Sequence, residues 1–383
     1  MALRGKLRRR LVSGVTAASA VALLASGCST TSGGGSASAQ PTYKKDDLVL
    51  VASVINLTNP YMTSMVEGAK ALSAKLGVPL KIVNANGSSQ TEISQIQAIL
   101  AQGKKVVLMV NTVASSDAPP IVNAVKAAGG YVTIWWNKPD DLEPWTVGDN
   151  FVAFQKHPGV DSGECTAKGL ADALGGKGNI IALPGVQDST TSQTRVAGLE
   201  HELKSHPDVK ILEERPANWD QQVAYNETQS LIAKYGDQIN GVWAADDAMM
   251  LGAIQAFKQA GRFDQVKFAS DGLYPPTIDL MQSHAGNDAV VAETFHRGYM
   301  AAAMGLYTAY LAATGKVDVA KLPHEKRDSL FKISCVTPQN LGEYTKYDQD
   351  VSGWMDSLIK NGPWSTPPVP LVGQGPEKLP GQG

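Results

Sequence analysis

The chain has 383 residues, enough for two domains of ordinary size, and its 43% hydrophobic and 18% charged residues are the balance of a globular protein with ample material for a core. A formal net charge of −2 gives no electrostatic reason to expect nucleic acid as a partner. The charge is unevenly placed, because residues 1–27 carry five cations (Arg4, Lys6, Arg8, Arg9, Arg10) and no acid.

That basic start, MALRGKLRRR, precedes LVSGVTAASAVALL, which is too short and too rich in small residues for a stable membrane span. LASGC then leads into Cys28, and STTSGGGSASAQPT has almost nothing to bury. The arrangement resembles a bacterial lipoprotein signal. Residues 1–27 would be removed, Cys28 would become the diacylated N-terminal residue, and residues 28–46 would form a flexible tether. A cleaved secretory signal with an incidental cysteine is the alternative. RRRLV also fits a loose twin-arginine pattern, so the export route stays open. No later segment has the uninterrupted apolar length of a membrane helix. The folded part is therefore expected outside the cytoplasmic membrane, anchored by lipidated Cys28. In an oxidising compartment Cys165 and Cys335 are a candidate disulfide, with two separate buried thiols as the alternative.

From Asp47 onward, short apolar runs alternate with longer amphipathic ones. Leu48–Val54 reads as a buried strand, and a helix follows with Pro60 near its start and Gly77 at its end. VPLKIVNA, KVVLMVN and YVTIWW are further strands, separated by the helices SQTEISQIQAILAQG and SDAPPIVNAVKAAGG. After WTVGDNFVAF the rhythm restarts with helix SGECTAKGLADALGG, strand NIIALPG, helix SQTRVAGLEHELKSHP and strand VKILEERPA. Helix DQQVAYNETQSLIAKYG, strand GVWAA, helix DDAMMLGAIQAFKQAG, strand VKFASDG, a short helix and strand AVVAETF come next. A long helix over Arg297–Gly315 and strand LFKISCV lead to a proline-rich tail. Strand–helix alternation predicts parallel sheets, and two such runs predict an α/β fold of two doubly wound, Rossmann-like lobes.

Catalytic signatures fail. There is no G-x-S-x-G elbow, no H-E-x-x-H, no P-loop and no G-x-G-x-x-G after the first strand. The six histidines (157, 201, 206, 284, 296, 324) lack metal-ligand spacing. GGKGN closes a helix and opens a strand, the wrong order for a phosphate cradle. Nothing calls for a cofactor or a metal, and no enzyme activity is expected. What remains is a set of polar and aromatic residues at the carboxyl ends of predicted strands, where open α/β sheets bind ligands. It comprises TNPYM, WWN, SQTR, PANWD, AADDAMMLG, ASDG and AET.

In their order and spacing these segments resemble the ribose/galactose-binding class of type I periplasmic binding proteins, which serve sugar ABC transporters. The likeness runs from about Leu48 to Thr337. It implies that Tyr61 stacks on a sugar with Asn59 beside it. Trp135 and Trp136 stand where the family carries an Asp-Arg pair, a plain departure. Gln193 and Arg195 match the polar helix start of the second lobe, and Trp219 a second stacking position. Asp246 stands where Asn is common, Asp271 keeps the usual acid, and Glu293 falls where Gln is common.

Read alone, Tyr61 and Trp219 fit helix-start packing, Asp246 and Asp271 fit helix caps, and Arg195 fits a solvated helix face. Adjacent strand residues point to opposite faces, so Trp135 and Trp136 cannot both fill one core. One is expected in the first lobe and the other as a wall of the cleft, with Asn137 supplying a donor and an acceptor. Asp271 is expected at the cleft edge, outside either core.

The resemblance implies lobe 1 over residues 47–150 plus 295–332, lobe 2 over 151–294 plus 333–362, and a tail over 363–383. The lobes would be joined by a hinge crossed near Val147–Phe154, Glu293–His296 and Lys332–Val336. It implies a monomeric protein that closes on a small neutral sugar or polyol and delivers it to an ABC permease. The alternative of the same fold is a sensor presenting a signal such as a furanosyl quorum compound. An extracellular enzyme would need a nucleophile–base pair that the sequence does not show.

Overall fold

The computed structural model describes residues 41–282 and 289–381; the expected signal segment and Cys28 lie outside the described residues. Strand β1 (Leu48–Val54) is buried along its whole length, as a strand covered by helices on both faces must be. It is followed by β2 (Leu80–Asn84), β3 (Lys105–Val110), β4 (Tyr131–Trp135) and β5 (Phe151–Lys156). The second run supplies β6 (Lys177–Leu183), β7 (Asp208–Glu214), β8 (Gly241–Ala244), β9 (Lys267–Ala269) and β10 (Val290–Thr294). Three short strands complete the set: β11 (Asp328–Phe331), β12 (Cys335–Val336) and β13 (Leu371–Gln374).

Among the described residues these strands form two sheets, in the orders β13-β11-β5-β4-β3-β1-β2 and β12-β10-β9-β8-β6-β7. Neighbours are parallel except β13 against β11 and β12 against β10. This is the expected two-lobe α/β architecture. The long helix Gly298–Ala313 returns to the first lobe and is buried on nearly every side, which its run of Ala, Met, Leu and Tyr permits.

Several expected boundaries move. Phe151–Lys156 is a strand paired with β4 and β11, so the chain leaves the first lobe after Lys156 and not at residue 150. LFKISCV is not one strand, because β11 ends in the first sheet and β12 begins in the second. The helix Val351–Asn361, expected in lobe 2, packs on lobe 1 through Trp354, whose ring meets Tyr299 edge-on at 5.5 Å. The proline-rich segment is no loose tail, since it supplies β13 and covers what would be an exposed edge of β11. Cys165 and Cys335 are joined, with Cα atoms 5.8 Å apart. Both belong to lobe 2 elements, so the bridge fastens the third crossing where it lands and leaves the lobes free to move.

One core group titrates near neutrality. Glu92 is fully buried, accepting from Ser53 Oγ (2.6 Å) and from Val113 N (3.1 Å). Burial pushes its pKa up to about 7, against the lowering effect of those hydrogen bonds. A carboxyl raised in the folded state stabilises it fully below the unfolded value of 4.5, and that contribution is lost as pH rises through about 7. Glu92→Gln mimics the protonated form. Between pH 5 and pH 8 it should lose about 2–3 kcal/mol less stability than the parent. Parallel melting profiles against pH for the two proteins would contradict this.

Candidate functional site

The carboxyl ends of the two sheets face each other across a cavity that is closed down to about 30 Å³ in this structure. Lobe 1 lines it with Ile55, Tyr61, Met62, Asn111, Trp136 and Asn137; lobe 2 lines it with Thr191, Arg195, Trp219, Asp246 and Tyr274; His296 comes from the second crossing. Tyr61 is set by the start of its helix, where Asn59 caps by accepting from Tyr61 N and Pro60 occupies the first turn. A β-carbon at Gly298 would collide with the Tyr61 carbonyl, so glycine there lets the two helices close up behind the ring. Gly163 plays the same part beneath the Arg195 carbonyl.

The paired tryptophans separate as alternation requires. Trp135 is fully buried and stacks on Phe331 at 5.6 Å with a 19° interplanar angle. Trp136 turns into the cavity at the point where the strand stops, with φ at 75°. Trp219 has φ at 60°, and Leu273, beside Tyr274, has 51°. Left-handed backbone is unfavourable for bulky residues and of order 1–3 kcal/mol each, so the surrounding fold must hold these conformations. All three sit at or next to the cavity.

Charge in the site is neutralised within the protein. Arg195 pairs with Asp271 at 2.5 Å and donates to the Ala245 carbonyl at 2.6 Å. Its guanidinium lies over Trp136 (5.0 Å to the ring centroid) and near Trp219 (5.9 Å). Asp271 also meets His296 Nε2 and Ser162 Oγ, and accepts from Thr294 Oγ1 at 2.6 Å. Burial alone would raise its pKa, but Arg195 and His296 outweigh that and hold the carboxyl well below the usual range. Asp246 is pushed by burial up to about 6, although Met249 N and Asn59 Nδ2 donate to it. Burial keeps His296 below its ordinary pKa, against the pull of Asp271.

The lobes are closed on one another. Ser115 N donates to Asp188 O at 2.8 Å and Ser116 Oγ to Asp188 Oδ2 at 2.5 Å. Thr191 Oγ1 donates to Trp136 O and Ser189 Oγ to Asn137 Oδ1, both at 2.7 Å. Asn59 Nδ2 reaches across to Asp246 Oδ2 (2.8 Å) and Trp219 O (3.2 Å). Behind Trp136 the three crossings meet. His157 stacks with His296 at 5.4 Å, and its Nδ1 lies 2.9 Å from the Lys332 carbonyl.

Of the residues singled out from sequence, Tyr61, Trp136, Asn137, Arg195, Trp219 and Asp246 line the cavity. Asn137 spends its amide oxygen on Ser189 and Thr191, joining the lobes with it. Asn59, Trp135 and Asp271 stand behind the lining. Gln193 is exposed and donates to Gln187 O, because Thr191 and Arg195 share the inward helix face four residues apart and position 193 falls opposite. Glu293 is buried beneath the 270–274 loop, meeting Ser270 Oγ at 3.1 Å and Leu273 N at 3.3 Å, and burial followed by neighbouring Asp247 raises its pKa well above the carboxylate range. Ile55, Met62, Asn111, Thr191, Tyr274 and His296 escaped the sequence reading. Thr191 was within reach through its i,i+4 relation to Arg195, and His296 through its place directly after a strand end.

A model of the periplasmic binding protein domain matches residues 50–314. The chain belongs to that family. It is 27% identical over 330 residues to a xylitol-binding protein of Mycolicibacterium smegmatis, covering 86% of each chain. It is 28% identical over 229 residues to a ribose import binding protein of Escherichia coli, covering 60% of this chain and 73% of the other. The crystal structure of a twin-arginine translocation pathway signal protein from Burkholderia phytofirmans matches with a TM-score of 0.80 and 32% identity, over 86% of this chain and 99% of that one.

Asp271 is a core residue of this binding protein and not, as expected from sequence, a group at the cleft edge. Asp271→Ala would leave the Arg195 charge buried and unpaired, which costs about 3–5 kcal/mol. Denaturant titration should show a loss of that size. Gln193→Ala should match the parent in the same experiment.

Proposed function

We propose that this protein captures a small neutral carbohydrate or polyol in the interlobe cavity, without turning it over, and delivers it to an ABC permease. The observation that carries the reading is the set of polar atoms left over in the lining. Arg195 Nε and Trp219 Nε1 are buried donors without a protein partner, and Asn111 Oδ1 is a buried acceptor without one. His296 Nδ1 is likewise unpartnered; with Nε2 facing the Asp271 carboxylate and the ring kept neutral, it accepts. Buried polar atoms without partners cost about 1–3 kcal/mol each. Tyr61 Oη is unpartnered as well, and because a hydroxyl both donates and accepts, a few hydroxyls on one small ligand answer all five atoms. The rings of Tyr61, Trp136, Trp219 and Tyr274 supply apolar walls for C–H faces.

Because the Arg195–Asp271 pair cancels internally, an anionic ligand would find no free counter-charge, and Asp246, whose pKa of about 6 leaves it largely ionised at neutral pH, would repel it. The names borne by the xylitol- and ribose-binding relatives support the same ligand class. Closure brings the two linings together, so ligand shifts the lobes toward the closed form.

A thermal-shift screen of pentoses, hexoses, inositols and linear polyols should find a ligand that adds about 2.7 kcal/mol at 100 times its Kd. Calorimetry should then show Trp219→Ala binding it far more weakly. A sugar acid or sugar phosphate that binds more tightly than every neutral sugar would overturn the assignment.

The anchor belongs to the same reading. With Cys28 as a lipid attachment site, Cys28→Ala should move the protein from the membrane fraction to the soluble fraction or the medium. Unchanged membrane retention would refute it.

A further inference from the structure

The hinge carries a buried ion pair that the cavity does not use. Lys156 ends β5 in lobe 1, and its Nζ lies 2.7 Å from Glu377 Oε2, with the two side chains only 5% and 8% exposed. The same carboxylate accepts from Gly159 N through Oε2 (2.9 Å) and from Val160 N through Oε1 (2.7 Å). Those are the first two N–H groups of the helix Gly159–Ala173 in lobe 2, which no helical carbonyl satisfies. A carboxylate there also faces the positive end of the helix dipole.

Only His157 and Pro158 separate the lobe 1 partner from the lobe 2 partners. Glu377 itself is held to lobe 1, because β13 pairs with β11 and Gly375 N donates to Asp328 O at 3.1 Å. Hinge closure is absorbed by a few residues at element ends. Rotation about residues 157–158 must therefore carry the two N–H groups relative to a carboxylate fixed on the other lobe.

We propose that the C-terminal segment is a fourth tie between the lobes and that Glu377 is a positioning residue that biases the hinge toward closure. Ligand affinity is then set partly from outside the cavity. The inference rests on closure as part of the proposed function and does not depend on which ligand is bound.

The test is a distance measurement on the full chain without added ligand. Spin labels at exposed Gln90 and Gln222, on opposite lips of the cleft, are read by pulsed electron resonance in a Cys28→Ser background. Glu377→Gln loses the charge and half of the bidentate acceptor. It should raise the ratio of long to short distances about tenfold over the parent, the scale of a lost charge-assisted contact. A chain ending at Gln374 keeps β13 on its sheet, removes Glu377, and should show the same shift. If Glu377→Gln fails to fold, that truncation carries the measurement. An unchanged distance distribution in folded variants overturns the proposal. A lowered melting temperature with an unchanged distribution overturns it as well, since Glu377 would then brace open and closed forms alike.

Discussion

A guanidinium buried between two indole rings is tenable only with a carboxylate beside it, and the site is organised around that requirement. Desolvating an unpaired Arg195 would outweigh the packing its neighbours gain. Asp271 removes the penalty, and Ser162, Thr294 and His296 in turn satisfy Asp271. The cluster ties together the helix Thr190–Leu203, the loop after β9 and the second crossing, so the floor of the cavity is rigid before any ligand arrives. The paired charge of Arg195 and Asp271 cancels, which leaves the cavity with aromatic walls, a few unpartnered polar atoms and the Asp246 carboxyl. A neutral, hydroxylated ligand follows from that arrangement more directly than from any single contact.

Closure uses a different chemistry. Serine, threonine and asparagine groups of one lobe meet backbone, amide and carboxylate oxygens of the other, the carboxylates being those of Asp188 and Asp246, with no interlobe ion pair at that rim among the described residues. The neutral ones contribute about 0.5–1.5 kcal/mol each when water is the competitor, and those to a carboxylate about 1.5–3 kcal/mol. They suit a joint that has to open again. Asn137 shows the division of labour, since an amide placed beside the cavity is used to hold the lobes together.

The two-lobe α/β organisation was legible because it is written in period and punctuation: fully apolar strand runs, Asn59-Pro60 at a helix start, Gly77 at its end. Tyr61 and Trp219 were legible through the family resemblance alone, since by themselves they fit helix-start packing, and Trp136 because strand alternation denies it the core that takes Trp135. Gln193 misled because a tetrapeptide was read as a unit, whereas a helix turns each residue by about 100° and shows the cavity only Thr191 and Arg195. Asp271 and Glu293 misled because an acid at a strand end serves equally to hold an arginine, to support a loop or to meet a ligand. Sequence order does not tell these apart. The end of the chain was illegible for another reason. Proline-rich composition reads as a linker, and whether such a segment adds a strand depends on an open sheet edge far away in sequence.

Both lobes are assembled from distant pieces of chain, and this bears on how the protein is made. The first sheet needs β11 and β13, which follow β5 by more than a whole lobe, and the second needs β12, whose cysteine bonds to a partner 170 residues earlier. Neither lobe is complete while the last fifth of the chain is still on the ribosome. Until then the edge of β5 is unpaired and the apolar helix Gly298–Ala313 is missing from its place. Such intermediates expose surface that aggregates. The interwoven order that gives the mature protein its multiple crossings therefore makes folding a late event, after nearly the whole chain has been delivered, and leaves a prematurely shortened chain with neither half able to stand alone.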